Sequence, residues 1–195
     1  LAQLGATTLY IIVLAFLVTL NRIRKDFMEL ALRDQLTGIY NRLSFFEFAE
    51  KEVAKCKRTK KPMHLLMFDI DFFKKVNDTF GHAKGDLVLR EISGLVQSSI
   101  RSYDILGRYG GEEFMVLMPD IDCENAKDVA ERIRLEIECH EFEGVGRVTV
   151  SIGLAQYTSP ESIESLIDRA DQALYVAKET GRNRVCTWEH PNNEV

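Results

Sequence analysis

The chain has 195 residues, a formal net charge of −5 and a hydrophobic content of 46%. That length holds one ordinary domain with a full core plus a short appended segment, and it excludes two full domains. Net acidity argues against broad electrostatic binding of a nucleic-acid polymer, while a single nucleotide with its metal stays open. Cys56, Cys123, Cys139 and Cys186 form no CxxC pair, and His64, His82, His140 and His190 do not cluster with them. A zinc site is therefore not expected, and reduced thiols are.

The start at Leu1, without methionine, reads as the cut end of a longer protein. From Leu4 to Leu20 no side chain is charged, and Arg22, Arg24 and Lys25 follow at once. An apolar run of about 20 residues just reaches membrane-spanning length. The trailing positive charges would place its C-terminal side in the cytoplasm. Residues 1–21 are thus expected to form a transmembrane helix, with a buried or coiled-coil helix as the competing reading. Residues 22–33 are expected to continue as a linker helix, with Ile23, Phe27 and Leu30 on one face; it would pair with its twin in a dimer or stay solvated.

Asp34-Gln35-Leu36-Thr37-Gly38 breaks that pattern and opens a domain over 34–188. A helix is expected from Asn41 to about Thr59, with Leu43, Phe46, Phe48 and Val53 inward, before Lys60-Lys61-Pro62 ends it. Met63 to Phe68 is apolar throughout, as in a strand buried on both faces, and it delivers Asp69-Ile70-Asp71 at its end. A short helix begins at Phe72. Gly81 to Asp86 reads as a turn, and a helix follows from Asp86 to about Ser102. Ile105 to Met118 reads as a hairpin whose tight turn is Gly110-Gly111, since glycine enters φ > 0 without steric cost. Asp122 can cap a helix to about His140, with Ala126, Val129, Ala130, Ile133 and Ile137 as its apolar stripe. A strand over 148–154, a helix from Ser159-Pro160 to the stop at Gly181, a strand over 183–188 and a frayed tail at 189–195 complete the chain.

Chemistry concentrates at two places. Asp69 ends a central strand, while Glu112 and Glu113 follow backbone that lacks side chains, where a phosphate or metal can approach closely. Magnesium bound to substrate phosphates usually takes one or two protein carboxylates, so one Asp and one Glu on neighbouring strands would suffice. The plainer readings are a solvated acidic hairpin and Asp69 and Asp71 as helix caps.

Several ordered motifs then go further: Asp34-Gln35-Leu36-Thr37-Gly38 with Asn41-Arg42, Phe68-Asp69-Ile70-Asp71-Phe72-Phe73-Lys74 with Asn77-Asp78, and Gly81-His82 with Gly85-Asp86. Arg108-Tyr109-Gly110-Gly111-Glu112-Glu113-Phe114, Ser151-Ile152-Gly153, Ala170-Asp171 to Lys178 and Gly181-Arg182-Asn183 continue the series. From Asp34 to Asn183 the chain resembles the GGDEF family of diguanylate cyclases, in a GGEEF variant. The resemblance implies an α+β fold with a mostly antiparallel sheet of about five strands flanked by helices, like a polymerase palm, preceded by the transmembrane and linker helices. It implies condensation of two GTP into cyclic di-GMP across a homodimer interface, with two magnesium (or manganese) ions per active site.

By matching position, Asp69, Glu112 and the Ile70 carbonyl would hold the metals, and Glu112, Glu113 and Asp69 form the catalytic set. Glu113 would assist in the site or in deprotonating the 3′-hydroxyl. Asn77 and Asp86 would read guanine. The N–H groups of Phe72 and Phe73, with Lys74, Lys178 and Arg182, would hold the triphosphate, and His82 belongs to the same GTP site. Arg101 and Asp104 match the family's product-inhibition site, against the plainer reading of a surface Arg/Asp pair. The implied location is the inner membrane, reached through the N-terminal helix, with the catalytic domain in the cytoplasm. Two other readings remain: a catalytically silent cyclic di-GMP receptor, and a cyclase for another nucleotide pair.

Overall fold

A computed structural model describes residues 14–22 and 31–188. The expected transmembrane helix over 1–21 and linker helix over 22–33 lie largely outside the described residues, as does the tail over 189–195. Residues 14–22 are helical and exposed, and among the described residues no helix is long and apolar enough to cross a membrane.

The domain runs α1 (Arg42–Thr59), β1 (Met63–Ile70), α2 (Phe73–Phe80), α3 (His82–Ser99), β2 (Ile105–Gly110), β3 (Glu113–Pro119), α4 (Cys123–Cys139), β4 (Val150–Gln156), α5 (Ile163–Glu179) and β5 (Val185–Thr187). The five strands form one sheet in the order β2-β3-β1-β4-β5. β1 lies at its centre, antiparallel to β3 and β4, and every one of its residues is buried. β5 pairs with β4 in parallel, so the sheet is mostly antiparallel, as expected.

Period-two alternation along β1 divides the core. Leu66, Phe68 and Ile70 join a cluster with residues of α2, α3 and α4, such as Phe73, Val88, Ile92 and Ile133. Met63, Leu65 and Met67 face the other way, against Phe45, Ala49 and Val53 of α1 and Leu166, Ala170 and Leu174 of α5. Close helix approach to that second face is built into Gly153, where an added Cβ would sit 2.0 Å from the Ala170 carbonyl oxygen.

Several local expectations are corrected. The inward stripe of α1 is Phe45, Ala49 and Val53, and Leu43 is 79% exposed. The N-cap sets this phase: Asn41 Oδ1 accepts from both the N–H and the hydroxyl of Ser44, turning Ser44 inward. α3 starts at His82, four residues before the expected Asp86, because the break with α2 is confined to Gly81 at φ 82°. The hairpin turn falls at Gly111-Glu112, and neither Gly110 nor Gly111 adopts positive φ. A register shift between Arg108 and Gly110 makes the turn instead, leaving Gly110 opposite Glu113. β5 is shorter than expected because Arg182 (φ 61°) and Asn183 (φ 45°) are left-handed and cannot extend it.

One buried polar group is only half satisfied. His64 in β1 is fully buried; its Nδ1 lies 3.1 Å from the Ile121 carbonyl, while its Nε2 has no partner. Burial holds the imidazole below its usual pKa, so it stays neutral in the fold. The unfolded chain takes up this proton below about pH 6.5 and the folded chain resists it, so stability is full above that pH and declines below it. Denaturant titrations should show this decline, by up to about 1.4 kcal/mol per pH unit, and His64→Leu should remove that part of the slope.

Candidate active site

The C-terminal end of β1 and the β2-β3 turn lie side by side. Asp69 pairs directly with Glu113 across the β1-β3 ladder, and the Ile70 N–H donates to the Glu112 carbonyl at 3.4 Å. Directly opposed residues share a face with Cβ atoms about 4.5–5.5 Å apart, so the Asp69 and Glu113 carboxylates are neighbours. Glu112 occupies the turn itself. Lys178 of α5 reaches in from the same face, with Nζ 2.9 Å from Asp69 Oδ2.

These groups perturb one another. Asp69 titrates above the usual carboxylate range because burial outweighs the Lys178 hydrogen bond and charge, and Asp71 adds to the rise. Glu112 and Glu113 are pushed up too, first by burial and then by the Asp69 charge. Anionic groups crowded around a half-buried cation accept further positive charge readily. Among the described residues no three His, Cys, Asp or Glu side chains converge to hold a metal by themselves. That donor set suits an ion that draws most of its ligands from substrate phosphates.

Arg108, which the sequence reading left without a task, fixes the turn. Its Nε and Nη2 donate to the Gly111 carbonyl at 3.0 and 2.6 Å, while Nη1 donates to Asp34 at 3.0 Å. Gly111 has nothing within 4 Å of where a Cβ would stand, so the main chain there is open to close approach. Arg42 lies 4.3 Å over the Tyr109 ring on the outer side of the hairpin.

The remaining expected residues follow β1 directly. Phe72 is left-handed at φ 57°, and no side chain caps α2. The N-cap and first-turn N–H groups of a helix lack intrahelical acceptors, so the expected pair at Phe72 and Phe73, with that of Lys74, is available to an anion. Lys74 and His82 are exposed. Asn77 of α2 packs against Gly85 of α3, the residue before Asp86: a Cβ there would lie 2.0 Å from Asn77 Oδ1. The Arg182 guanidinium sits 4.7 Å over the Phe72 ring.

Asp71 was expected as a capping residue if anything, and it caps no helix. It accepts from Thr149 Oγ1, Ser151 Oγ and the Asn183 N–H at 2.7, 2.7 and 3.0 Å. These partners lie far away in sequence, so no local signal could have found them. Arg101 and Asp104 form a turn at the far end of α3, where Asp104 Oδ2 accepts the Arg101 N–H at 2.8 Å. Their side chains form no ion pair; Arg101 Nη1 donates to the Tyr103 hydroxyl at 2.9 Å. Asp104 Oδ1 is buried without a partner, and burial raises its pKa.

A mostly antiparallel sheet covered by helices on both faces thus gathers carboxylates, first-turn amide donors and cations at one end of its central strand. The chain belongs to the family described as diguanylate cyclase, GGDEF domain, which matches residues 31–184. It is 44% identical over 164 residues to the response regulator PleD of Caulobacter vibrioides, covering 81% of this chain and 36% of that protein. It is 43% identical over 187 residues to the probable diguanylate cyclase DgcT of Escherichia coli K12, covering 91% and 40%. The chain thus spans 36–40% of the length of these relatives. The coiled coil and GGDEF domain of DgcB from Caulobacter crescentus, solved with c-di-GMP, matches with a TM-score of 0.86 at 31% identity, covering 95% of this chain and 97% of that one. The active GGEEF domain of a Vibrio cholerae diguanylate cyclase gives 0.74 at 37% identity, covering 77% and 97%.

Gly85 offers a test of the guanine-reading role expected of Asn77. Alanine there would favour the helix intrinsically, yet its methyl would displace the Asn77 side chain. Gly85→Ala should weaken GTP binding roughly ten-fold, read by titration calorimetry.

Proposed function

We propose that the chain condenses two GTP molecules into cyclic di-GMP, releasing pyrophosphate twice. The observation that carries this reading is Asp69 in direct register with Glu113, with Glu112 in the adjoining turn and open backbone at Gly111. In each step the 3′-oxygen of one GTP bonds to the α-phosphorus of the other. The bond from that phosphorus to the bridging oxygen of pyrophosphate breaks, and the hydroxyl proton leaves to a carboxylate or water.

Residues of this chain divide the work. Asp86 accepts from guanine N1–H and the 2-amino group, while the Asn77 amide donates to purine acceptors, a pattern that adenine does not match. The free N–H groups at the start of α2, with Lys74 and Arg182, bind the triphosphate by charge-assisted hydrogen bonds, and His82 lies at the rim. Asp69, Glu112 and the Ile70 carbonyl would hold magnesium or manganese, two ions on the family pattern, supplying positive charge against the phosphate oxygens. Lys178, now on Asp69, is placed to turn to phosphate when metal takes its position. Glu113, facing Asp69, is placed to orient or deprotonate the 3′-hydroxyl.

The described residues present one such site, so the reading has the second GTP carried by a second subunit, with a homodimer as the working unit. Arg101 and Asp104 are read as the product-inhibition site: the unpartnered Asp104 oxygen can accept guanine donors, and Arg101 can bind phosphate. Arg132, whose Nη2 donates to the Ser99 carbonyl at 2.6 Å, puts a further cation at this corner. An N-terminal membrane anchor over residues 1–21, with the domain on the cytoplasmic side, fits the apolar run and its trailing positive charges.

A dimeric, product-free preparation given GTP and magnesium should yield cyclic di-GMP by mass spectrometry, and none at all would overturn the reading in favour of a silent receptor. Glu112→Ala should cut turnover at least roughly a hundred-fold with the melting temperature held, since even residues that merely support metal ligands cost that order. Arg101→Ala should keep progress curves straight where the parent protein slows as product accumulates; equal slowing would remove Arg101 from inhibition.

A further inference from the structure

Asp71 is 5% exposed, immediately follows β1, and has no cationic partner among the described ion pairs. Three hydrogen bonds satisfy it instead. Two come from Thr149 and Ser151 at the start of β4, and the third from the Asn183 N–H, 112 residues later. That last donor lies in the loop between α5 and β5, where Gly181, Arg182 and Asn183 have consecutive φ values of 126°, 61° and 45°. Left-handed backbone at a non-glycine residue is strained and persists where its surroundings over-determine it.

The surroundings here do so. Besides Asp71, Asn183 accepts from Arg134 Nη1 at 2.9 Å and donates to Glu138 Oε1 at 2.7 Å, and the Arg182 N–H donates to the Ala177 carbonyl at 2.9 Å. The loop's purpose is legible in what it presents. Arg182 holds its guanidinium carbon 4.7 Å over the ring of Phe72, a residue that is 63% exposed and itself left-handed. A cation held against a ring in this way keeps N–H groups that can donate to phosphate oxygens. Arg182 forms no ion pair among the described residues, so that edge is not spent on the protein.

We propose that Asp71 and the Phe72 ring are positioning residues that hold Arg182 against the phosphates of the bound nucleotide. This rests on the GTP reading above and adds residues that act through Arg182 alone. Asp71 fixes the loop backbone one residue beyond Arg182, and Phe72 fixes the direction of the side chain. Both adjoin Asp69 and Ile70, so a single four-residue segment sets the metal-binding carboxylate and the phosphate-binding cation relative to each other.

The test is equilibrium binding of GTP and GMP to the full chain with magnesium, because GMP keeps the guanine contacts and lacks the outer phosphates. Asp71→Ala and Phe72→Leu should each lower GTP affinity about ten-fold and leave GMP affinity within about two-fold. Asp71→Asn should behave like the parent, because its amide oxygen still accepts the Asn183 N–H while the Ser151 hydroxyl turns to accept from the amide. Adding Arg182→Ala to either damaging change should cause no further loss. Equal losses for GTP and GMP, additive losses with Arg182→Ala, or unaltered GTP binding by Phe72→Leu would each overturn the positioning role. Phe72 is exposed, so its variant keeps the test decisive should Asp71→Ala fail to fold. Parent protein that bound GMP and GTP equally, or neither, would overturn the nucleotide reading itself.

Discussion

Two carboxylates buried at the end of one central strand are the constraint on which the site depends. Asp69 is 7% exposed and Asp71 5%. A buried, unpaired carboxylate would be neutralised by a raised pKa or would destabilise the fold, so each must recruit partners. The two do so differently. Asp69 takes a cation from α5 and keeps company with two further carboxylates, which leaves it hungry for more positive charge. Asp71 takes three neutral donors and is complete. One has capacity left for a further cation and the other has its hydrogen bonds filled, although both are aspartates two residues apart.

Those partners explain why the sheet is ordered as it is. With β1 in the middle, its C-terminal end meets the β2-β3 turn on one side and the start of β4 on the other. Glu113 can then oppose Asp69, while Thr149 and Ser151 approach Asp71. α5 covers the α1 face and carries Lys178 to Asp69 at its last turn. Just beyond it, the chain reverses through left-handed residues and returns beside Phe72. The site therefore draws on β1, the hairpin, α2, α3 and the end of α5, and each contact depends on packing far from it in sequence.

This division also marks what could be read from residues alone. Element types, the central position of Met63 to Phe68, the Asp122 cap and the grouping of Asp69 with the Gly-Gly hairpin were legible, because periodicity, capping and turn composition are local signals. The phase of α1 was not, since Ser44 looks polar and Leu43 apolar until the Asn41 cap turns one inward and the other out. Nor was the turn geometry: the glycines suggested positive φ, whereas a register shift makes the turn and the glycines provide room. The partners of Asp71 could not be read locally, since they lie 78 to 112 residues away, and neither could Asp34, 74 residues from Arg108, although the Gly111 carbonyl that Arg108 also holds is only three residues on.

The Arg108–Asp34 pair shows how the start of the domain is fastened to the turn that bears Glu112. The Asn41 side chain donates to the Ala31 carbonyl at 2.7 Å and its N–H to the Leu32 carbonyl at 3.0 Å. Tyr40 N–H donates to the Leu106 carbonyl, and Arg108 N–H to the Tyr40 carbonyl, so the loop over 31–41, closed on itself between Arg33 and Tyr40, is bonded to β2 through Tyr40. Asp34 closes its own turn by accepting from the Thr37 N–H and hydroxyl, and it also accepts from Arg108, whose other nitrogens hold Gly111. With side chains only 16% and 24% exposed, this ion pair is shielded from the screening that makes surface pairs negligible. Residue 31 is therefore joined to the turn bearing Glu112 through hydrogen bonds and one guanidinium, so the position of that turn is tied to the segment that leads into the sheet.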